Sequence, residues 1–356
     1  MSRWDVCSVF LKGIILYCQS HIKQSRSIFS IFHLLKGKRG IQTVHDAHLF
    51  RLKHLFGIYP TLSKISFEKE IEALINKEYL MHAEQENVYS LTSRAFTWLS
   101  VHQRELRLEY FNGLSHHQIT DTFFDRLLLF IQTYTNIQMN FYSFIPVRDS
   151  TSITSWLKDY YKKTVNVHAD EILFILYTDL DKLLKKITEN EAHFFIDHLS
   201  GYKKYGMTTS QLSKKYNINI IDLPLLRTAI IHKMLTIINK DNNQFKILPA
   251  LIPERVENTF ITNTTMTTYN LLNAGFSPEE IKVRRNLKLN TIYDHIVEIS
   301  LFDKTFNIDD YVSESAVQEI KVAISDTDSY KLKDIKEKVS GEISFFQIRL
   351  VLTRIG

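Results

Sequence analysis

Residues 275–296 read GFSPEEIKVRRNLKLNTIYDHI. Gly275 can adopt the left-handed backbone conformation that commonly ends a helix. Ser277 and Glu280 have the spacing of a capping box, and Pro278 suits the first position of a helix. The stretch therefore predicts that one helix ends near Gly275 and that another begins at Pro278.

The residues around these signals complete a three-helix pattern. A first helix is predicted over Met266–Ala274, and the second runs from Pro278 to about Arg285 before a tight turn. Ile292 and Ile296 are four residues apart, so they lie on one face of a third helix and form a small core with Ile281 and Leu287. This order is a helix-turn-helix, a unit that usually meets nucleic acid.

The N-terminal third predicts a second unit of this size. Helical periodicity covers residues 26–35, 46–56 and 66–77, with Gly37 and Gly57 ending the first two helices. The period then changes to two in residues 79–82 and 88–91, which flank Gln85, Glu86 and Asn87. This predicts a β-hairpin. Three helices followed by a hairpin is the order of a winged helix.

The middle and the C-terminal end of the chain are also helical in pattern. Helices are predicted over residues 119–144, 152–163, 170–189, 191–199, 315–324, 331–339 and 344–355. Capping-box spacings occur at Thr208 with Gln211, Ser315 with Gln318 and Ser344 with Gln347. The first of these opens a short helix through Tyr216, and Pro224 opens a longer one to Ile238, so the two form another helix-turn-helix-like unit.

With 356 residues the chain is long enough for two or three domains. We predict a mainly α fold. Residues 1–102 hold an N-terminal helix and the winged helix, and residues 103–240 form a helical middle domain. Residues 241–264 are rich in Asn and Thr and are predicted to be a linker. Residues 265–356 form the helix-turn-helix domain.

Composition limits the kinds of partner and of chemistry. The net charge of +5 favours anionic partners mildly. The apolar run Val6–Cys18 is interrupted by Lys12 and is too short to span a bilayer, so no membrane partner is expected. The whole chain has only two cysteines, Cys7 and Cys18, which suits a reducing compartment. We therefore expect a cytoplasmic, nucleoid-associated protein.

Two searches for chemistry are negative. The sequence contains no Gly-x4-Gly-Lys-Ser/Thr run for nucleotide phosphates. His45 and His48 are three residues apart, but no cysteine or carboxylate cluster completes a tetrahedral metal site. We therefore expect no enzyme activity, no metal, no cofactor and no small-molecule substrate.

The order Ile281, Arg285, Leu287, Thr291, Ile292 and His295 resembles the helicase helix-turn-helix family. The N-terminal third resembles the winged-helix RQC domain of RecQ helicases. The residues that carry this resemblance are 34–39, Phe56-Gly57, Ile71, Leu74, Tyr79-Leu80 and 89–92. Together the modules are similar to the YpbB-like proteins of Gram-positive bacteria over essentially the whole length. This resemblance implies an accessory subunit that supplies DNA contacts to a RecQ-type helicase in repair or recombination.

Two features depart from that pattern. The wing tip is Glu84-Gln85-Glu86-Asn87, and acidic side chains repel phosphate, so this wing is not expected to separate strands. The third helix of the helix-turn-helix is predicted to turn the following residues outward: Asn290, Thr291, Tyr293, Asp294 and Val297. An outward Asp294 predicts weak reading of base sequence.

Two groups of residues are candidates for DNA contact. The first is the basic run Lys282, Arg284, Arg285 and Lys288, which contains no acid, together with Thr291, Tyr293 and His295 of the third helix. The second is Lys36, Lys38 and Arg39, after the first helix of the winged unit. A solvated helix face or loop is the alternative in each case, and the family pattern also allows Arg285 to belong to the fold.

Three further functions remain open at this stage. A transcription regulator rests on the helix-turn-helix alone, and the expected weak base reading counts against it. A scaffold that contacts only proteins is favoured by the acidic wing tip. An enzyme with an unrecognised site is the third, because a fold does not determine a function.

Overall fold

The computed structural model describes residues 10–254, 261–327 and 330–355. Within these ranges the chain forms nineteen α-helices and one two-stranded antiparallel sheet. The predicted mainly α fold is therefore confirmed. Residues 6–9 of the predicted first helix, including Cys7, and residues 255–260 of the predicted linker lie outside the described residues.

The chain forms two compact units, and each is assembled from separate segments. Among the described residues, unit 1 comprises 10–15, 57–61 and 97–254. Unit 2 comprises 16–56, 62–96, 261–327 and 330–355. Unit 2 therefore brings the elements of the predicted winged helix together with those of the C-terminal helix-turn-helix. The linear order of predicted domains did not indicate this grouping.

The first four helices and the sheet follow the predicted order, and a fifth helix that the sequence did not predict comes after the hairpin. They are α1 (Phe10–Ile22), α2 (Phe29–Lys36), α3 (Ile41–Leu49), α4 (Lys64–Asn76), β1 (Leu80–His82), β2 (Tyr89–Leu91) and α5 (Ser93–His102). Gly37 ends α2 with a φ of 69°, as predicted. The predicted helix 46–56 is wrong at both ends. Helix α3 stops at Leu49 because Arg51 has a φ of 57°, which a continuing helix does not allow.

The predicted hairpin forms and lies in unit 2. Leu80 pairs with Leu91, and His82 pairs with Tyr89. The Gln19 side chain of α1 donates to the Tyr89 carbonyl at 2.7 Å. At the tip, the carbonyl of Asn87 accepts from the backbone N–H of Ile28 at 2.8 Å. These two bonds fix the wing to the N-terminal helices.

The middle of the chain supplies eight helices. They are α6 (Gly113–His116), α7 (Thr120–Gln138), α8 (Thr151–Lys163), α9 (Ala169–Leu184), α10 (Glu189–Ile196), α11 (Thr209–Tyr216), α12 (Leu223–Lys240) and α13 (Leu248–Leu251). Helix α7 ends before the predicted Phe144 because Asn140 has a left-handed φ of 52°. Helix α9 ends before Glu189 because Thr188 caps α10 in a capping box with Glu191.

Residues 245–251 of the predicted linker are packed in unit 1, whereas residues 263 and 264 open a C-terminal helix of unit 2. Phe245, Ile247, Leu248 and Leu251 are buried. The buried carboxylate of Asp179 on α9 accepts the backbone N–H groups of residues 246, 247 and 248 at 2.9, 2.7 and 3.2 Å. Residues 245–251 are therefore a structured part of the core, where composition alone indicated a flexible connection.

The C-terminal part forms the last six helices. They are α14 (Asn263–Asn273), α15 (Pro278–Arg285), α16 (Leu289–Phe302), α17 (Glu314–Thr327), α18 (Leu332–Lys336) and α19 (Phe345–Leu352). The capping boxes predicted at Thr208, Ser277 and Ser344 are all present. The one predicted at Ser315 is wrong, because the Ser313 hydroxyl accepts from the Ala316 N–H and α17 begins at Glu314. No helix in the described ranges is long and apolar enough to cross a bilayer.

Buried histidines make the fold sensitive to acid. In unit 1, His232 Nδ1 accepts from the Asn112 N–H at 3.0 Å, and its Nε2 lies 2.9 Å from the Thr120 hydroxyl. That hydroxyl already donates to the His116 carbonyl, so Nε2 must donate and the ring is neutral. Burial, with His116 and His117 nearby, lowers the pKa of His232 to about 3.

Four other histidines behave in the same way. Burial lowers the pKa of His48 to about 3, and it lowers the pKa values of His45, His54 and His198 to about 4. Each of these rings titrates near 6.5 in the unfolded chain, so the unfolded state binds more protons at every pH between the two values. Acid therefore favours unfolding.

We expect the free energy of unfolding to fall as the pH is lowered from 6.5 towards 4.5. Well below pH 6.5, each buried neutral histidine adds a slope of up to about 1.4 kcal/mol per pH unit. Urea unfolding of the full chain at pH 7.5, 6.5, 5.5 and 4.5, followed by circular dichroism, measures the midpoint at each pH. A midpoint that stays constant across this series would contradict the assignment of neutral buried histidines.

Candidate nucleic-acid interface

The predicted core of the helix-turn-helix forms in unit 2. Ile281 of α15 and Ile292 and Ile296 of α16 are completely buried. Ser277 caps α15, whose first turn carries Glu279 and Glu280, where the helix dipole favours negative charge. The basic side chains follow at the other end of α15. The short helix is therefore polarised, with its acids at the start and its bases at the end.

Arg285 is a structural residue that joins α15 to α14. Its guanidinium donates to the Thr264 carbonyl at 2.7 Å, to the Thr264 hydroxyl at 2.8 Å and to the Thr268 hydroxyl. The Thr268 hydroxyl in turn donates to His295 Nδ1 of α16 at 2.7 Å. His295 is only 6% exposed, and burial, followed by the Arg285 charge, lowers its pKa. Both residues serve the fold, which corrects their selection as DNA contacts.

The other three bases of the run lie at the surface. Lys282, Arg284 and Lys288 are exposed, and we call these three residues the basic surface. The Arg284 guanidinium lies 3.9 Å from the centre of the Phe276 ring, which orients it by a cation–π contact. Val283 between them is 78% exposed, so this turn of α15 projects from the core.

Beyond its first turn, α16 is partly covered by α19. Tyr293 stacks on Phe346 with ring centres 4.1 Å apart, and Asp294 is paired with Arg349 at 2.5 Å. Val297 is fully buried. The expectation that Val297 points outward is wrong, whereas Tyr293 and Asp294 remain partly exposed with their side chains engaged by α19. Asp294 therefore does not face a DNA groove as an unpaired negative charge.

Two polar residues of α16 remain available beside the basic surface. Asn290 is exposed and Thr291 is partly exposed, both in the first turn of the helix. Helix-turn-helix proteins use this turn to reach base edges, and an asparagine amide can pair with adenine. The sequence predicts that Asn290 points outward, but it does not single this residue out as a DNA contact. The signal is missing because the sequence does not show that other elements cover much of α16.

The second candidate group also lies in unit 2. Lys36, Lys38 and Arg39 are exposed at the end of α2 and in the loop before α3. The Lys36 ammonium donates to the Leu62 carbonyl at 3.2 Å, so it supports the local fold as well. The structure thus keeps Lys38 and Arg39 as surface cations and gives Lys36 a structural contact.

Comparison with known proteins agrees with this architecture. Residues 264–352 match the family model of a helix-turn-helix domain. Over 345 residues the chain is 28% identical to protein YpbB of Bacillus subtilis (strain 168), an alignment that covers 96% of each chain. The chain is thus similar to YpbB over nearly its whole length. No solved structure matches it.

The wing contacts the C-terminal part of unit 2. Lys331 Nζ contacts the Gln85 side chain at 3.5 Å. A cleft of about 530 Å³ lies here, and its lining includes residues 24–27, Gln85, Glu86, Val88 and residues 331–334. Glu84 and Glu86 are exposed. The tip is thus acidic and exposed, with Gln85 in contact with Lys331 just before α18, and such a charge does not suit a wedge that enters a duplex.

Helix α4, which precedes the wing, is also a poor match for DNA. It carries Glu68, Glu70 and Glu72 against only Lys64 and Lys69, and Lys64 is paired with Glu68 at 3.5 Å. Acidic side chains on this helix repel phosphate. The charge on α15 and the turn that follows it therefore suits phosphate better than the charge on α4 does.

Contacts between α3 and the C-terminal helices explain why these elements share one unit. His45 Nε2 lies 3.4 Å from the Arg349 carbonyl of α19. The His48 ring packs edge-on against Phe302 at the end of α16, with centres 5.4 Å apart. These histidines, which the sequence left as an incomplete metal pair, are packing residues of an interhelical core.

Neighbouring arginines should respond differently to truncation. We expect Arg285→Ala to destabilise unit 2 by about 1–3 kcal/mol, because two hydroxyls and a carbonyl lose their charged donor. Arg284→Ala should cost less than about 1 kcal/mol, the value of an exposed cation–π contact. Urea unfolding of the full chain followed by circular dichroism measures both. Equal losses in the two variants would contradict the structural role of Arg285.

Proposed function

We propose that this protein is a non-catalytic DNA-binding accessory subunit that partners a RecQ-type helicase in DNA repair or recombination. The observation that carries the DNA part is the basic surface of Lys282, Arg284 and Lys288 on a helix-turn-helix domain. In the proposed complex these cations contact backbone phosphates, and the first turn of α16 enters the groove beside them.

The nearby charges support phosphate contact. Asp294 is neutralised by Arg349, and Glu280 is engaged in the capping box at the far end of α15. Arg284 lies over Phe276, which restricts its side chain and lowers the entropy lost on binding. Lys38 and Arg39 are a second proposed phosphate contact in the same unit.

Binding should depend little on base sequence. Asn290 and Thr291 are the side chains that α16 offers near the basic surface, since Tyr293, Asp294 and Val297 are engaged elsewhere. A sequence-specific protein gains about 1–3 kcal/mol of discrimination from each well-placed bidentate base contact. One asparagine cannot supply the specificity of a transcription regulator, which is why we favour a general DNA-binding role.

Two observations support the helicase part of the proposal. The sequence contains no Gly-x4-Gly-Lys-Ser/Thr motif to hold the phosphates of ATP. In the proposed complex the ATP-hydrolysing helicase motor is therefore on another chain. The helix-turn-helix and winged units also resemble modules that accompany helicase motors. Because the wing tip is acidic, we assign strand separation to the partner.

We expect Lys282→Ala, Arg284→Ala and Lys288→Ala each to weaken binding to a 20-base-pair duplex. The slope of log K against log salt should fall by about 0.9 for each phosphate that the variant no longer binds. Fluorescence anisotropy of a labelled duplex between about 50 and 200 mM salt measures both quantities.

Lys77→Ala is the matched control, because Lys77 is an exposed lysine at the end of α4 in the same unit. Its affinity and salt slope should equal those of the wild type. A triple variant of the basic surface with unchanged affinity and slope would refute this DNA interface.

The helicase partnership needs a separate test. Co-expression with a RecQ-type helicase from the same organism should give a complex that remains together on size-exclusion chromatography in the absence of DNA. Nuclease treatment before the column removes complexes bridged by nucleic acid. Two separate peaks at micromolar concentration would exclude the partnership while leaving the DNA proposal intact.

A protein scaffold is the second candidate function. The acidic side chains of α4 and of the wing favour it, because they suit a basic protein surface better than DNA. A stable helicase complex combined with undetectable duplex binding would support the scaffold over the DNA-binding subunit.

A further inference from the structure

Unit 1 contains a cleft at the C-terminal end of α7. Its volume is about 390 Å³, and its two walls are the loop 140–147 and the loop 201–206. Phe141 and Ile145 belong to the first wall, and Tyr202, Lys203 and Tyr205 belong to the second. All of these residues lie in unit 1, so the cleft is separate from the basic surface of unit 2.

Helix α7 holds both walls with side chains that lie one turn apart. The Gln132 amide is buried; it donates to the Ile145 carbonyl at 3.0 Å and accepts the Val147 N–H at 2.7 Å. Thr135 accepts the Tyr202 N–H at 3.1 Å. The spacing of i and i+3 places these two groups on one face of the helix. The loops are therefore fixed relative to each other.

The second loop is further fixed by its own backbone. Gly201 and Lys204 exchange two backbone hydrogen bonds of 2.9 and 3.2 Å. Gly206 donates to the Ser200 hydroxyl at 2.9 Å. A Cβ at Gly206 would lie only 2.3 Å from the His198 carbonyl oxygen, so the close approach requires glycine. A loop held in this way loses little entropy when it binds a ligand.

The fixed loops nevertheless expose apolar groups to water. Tyr205 is 86% exposed and Ile145 is 89% exposed. Inside the cleft, Phe141 and Tyr202 meet edge to face with centres 5.8 Å apart, and Lys203 Nζ lies 5.1 Å from the Tyr202 ring centre. Core formation does not account for an ordered, exposed tyrosine beside two exposed lysines, whereas ligand binding does.

The charges around the cleft favour an anion. Lys203 and Lys204 are exposed at its rim. Asp197 lies next to the second loop, because its carbonyl accepts the Met207 N–H. Its carboxylate accepts from Lys215 and from Tyr216, at 2.6 Å each. On the other wall, the carboxylate of Asp125 is paired with Arg148. The flanking acids are thus neutralised, which leaves the two rim lysines as the available charge.

We propose that this cleft binds single-stranded nucleic acid. An unpaired base stacks on the exposed Tyr205 ring or enters between the two loops, and Lys203 and Lys204 contact the phosphates on either side. Flat aromatic faces beside cations are the groups that bind single strands without sequence preference. A duplex cannot use them, because its bases are already stacked and paired. The site goes beyond the proposed duplex-binding function and does not depend on it.

The test is fluorescence anisotropy of the full chain with a labelled 12-nucleotide oligo(dT), whose bases stack weakly. Tyr205→Ala should weaken binding about tenfold, and Tyr205→Phe should bind like the wild type because the ring is retained. Lys203→Ala combined with Lys204→Ala should also weaken binding and should lower the salt slope by about 0.7 for each phosphate that the lysines no longer bind.

Matched controls are available within unit 1. Tyr177 is 68% exposed on α9, and Tyr177→Ala should not change binding. Lys240 and Lys246 are exposed, so their double alanine variant controls for loss of charge. Urea unfolding verifies that each variant is folded.

The outcomes separate this site from the duplex interface. The proposal holds if the cleft variants lose oligo(dT) binding and keep duplex binding. It is overturned if the wild type binds the duplex but not oligo(dT), or if oligo(dT) binding is lost only when Lys282 and Arg284 are replaced. Binding of an acidic peptide that resists competition by oligo(dT) would also overturn it and would identify the cleft as a protein site.

Discussion

The burial of α16 is the constraint on which unit 2 depends. This helix is buried from His295 to Leu301 and packs against α3, α14, α15 and α19. Because most of the helix lies in a core, its first turn is its most accessible part for a ligand. The same packing joins the winged elements to the C-terminal domain and places His45 and His48 between helices.

The arginines of α15 show how one motif divides between fold and function. Arg285 bonds to two threonines of α14 and reaches His295 through one of them, whereas Arg284 is held only by the Phe276 ring at the surface. Adjacent residues on a helix point about 100° apart, so one faces the neighbouring helices and the other faces solvent. A basic run in a sequence therefore overstates the number of cations that can reach a phosphate.

Unit 1 uses buried polar side chains in a related way. Asp179 organises residues 246–248, and Gln132 and Thr135 position the two loops at the end of α7. In each case a satisfied polar group in the interior fixes backbone that has no regular structure of its own. Segments that look irregular in composition are consequently ordered, and one of them presents aromatic and basic groups to solvent.

The sequence by itself determined the helical class, the hairpin and the start of α15, because capping boxes and turn residues act through hydrogen bonds within a few positions of the chain. It also placed Lys282, Arg284 and Lys288 in one basic run. Only the tertiary structure decided which face of α16 is covered, since Asp294 and Arg349 are 55 residues apart. Only the tertiary structure also showed that Arg285 joins α15 to α14 and that residues 245–251 are packed. It further showed that loops 140–147 and 201–206 form a cleft at the end of α7. Those features depend on contacts between distant segments, which local periodicity cannot encode.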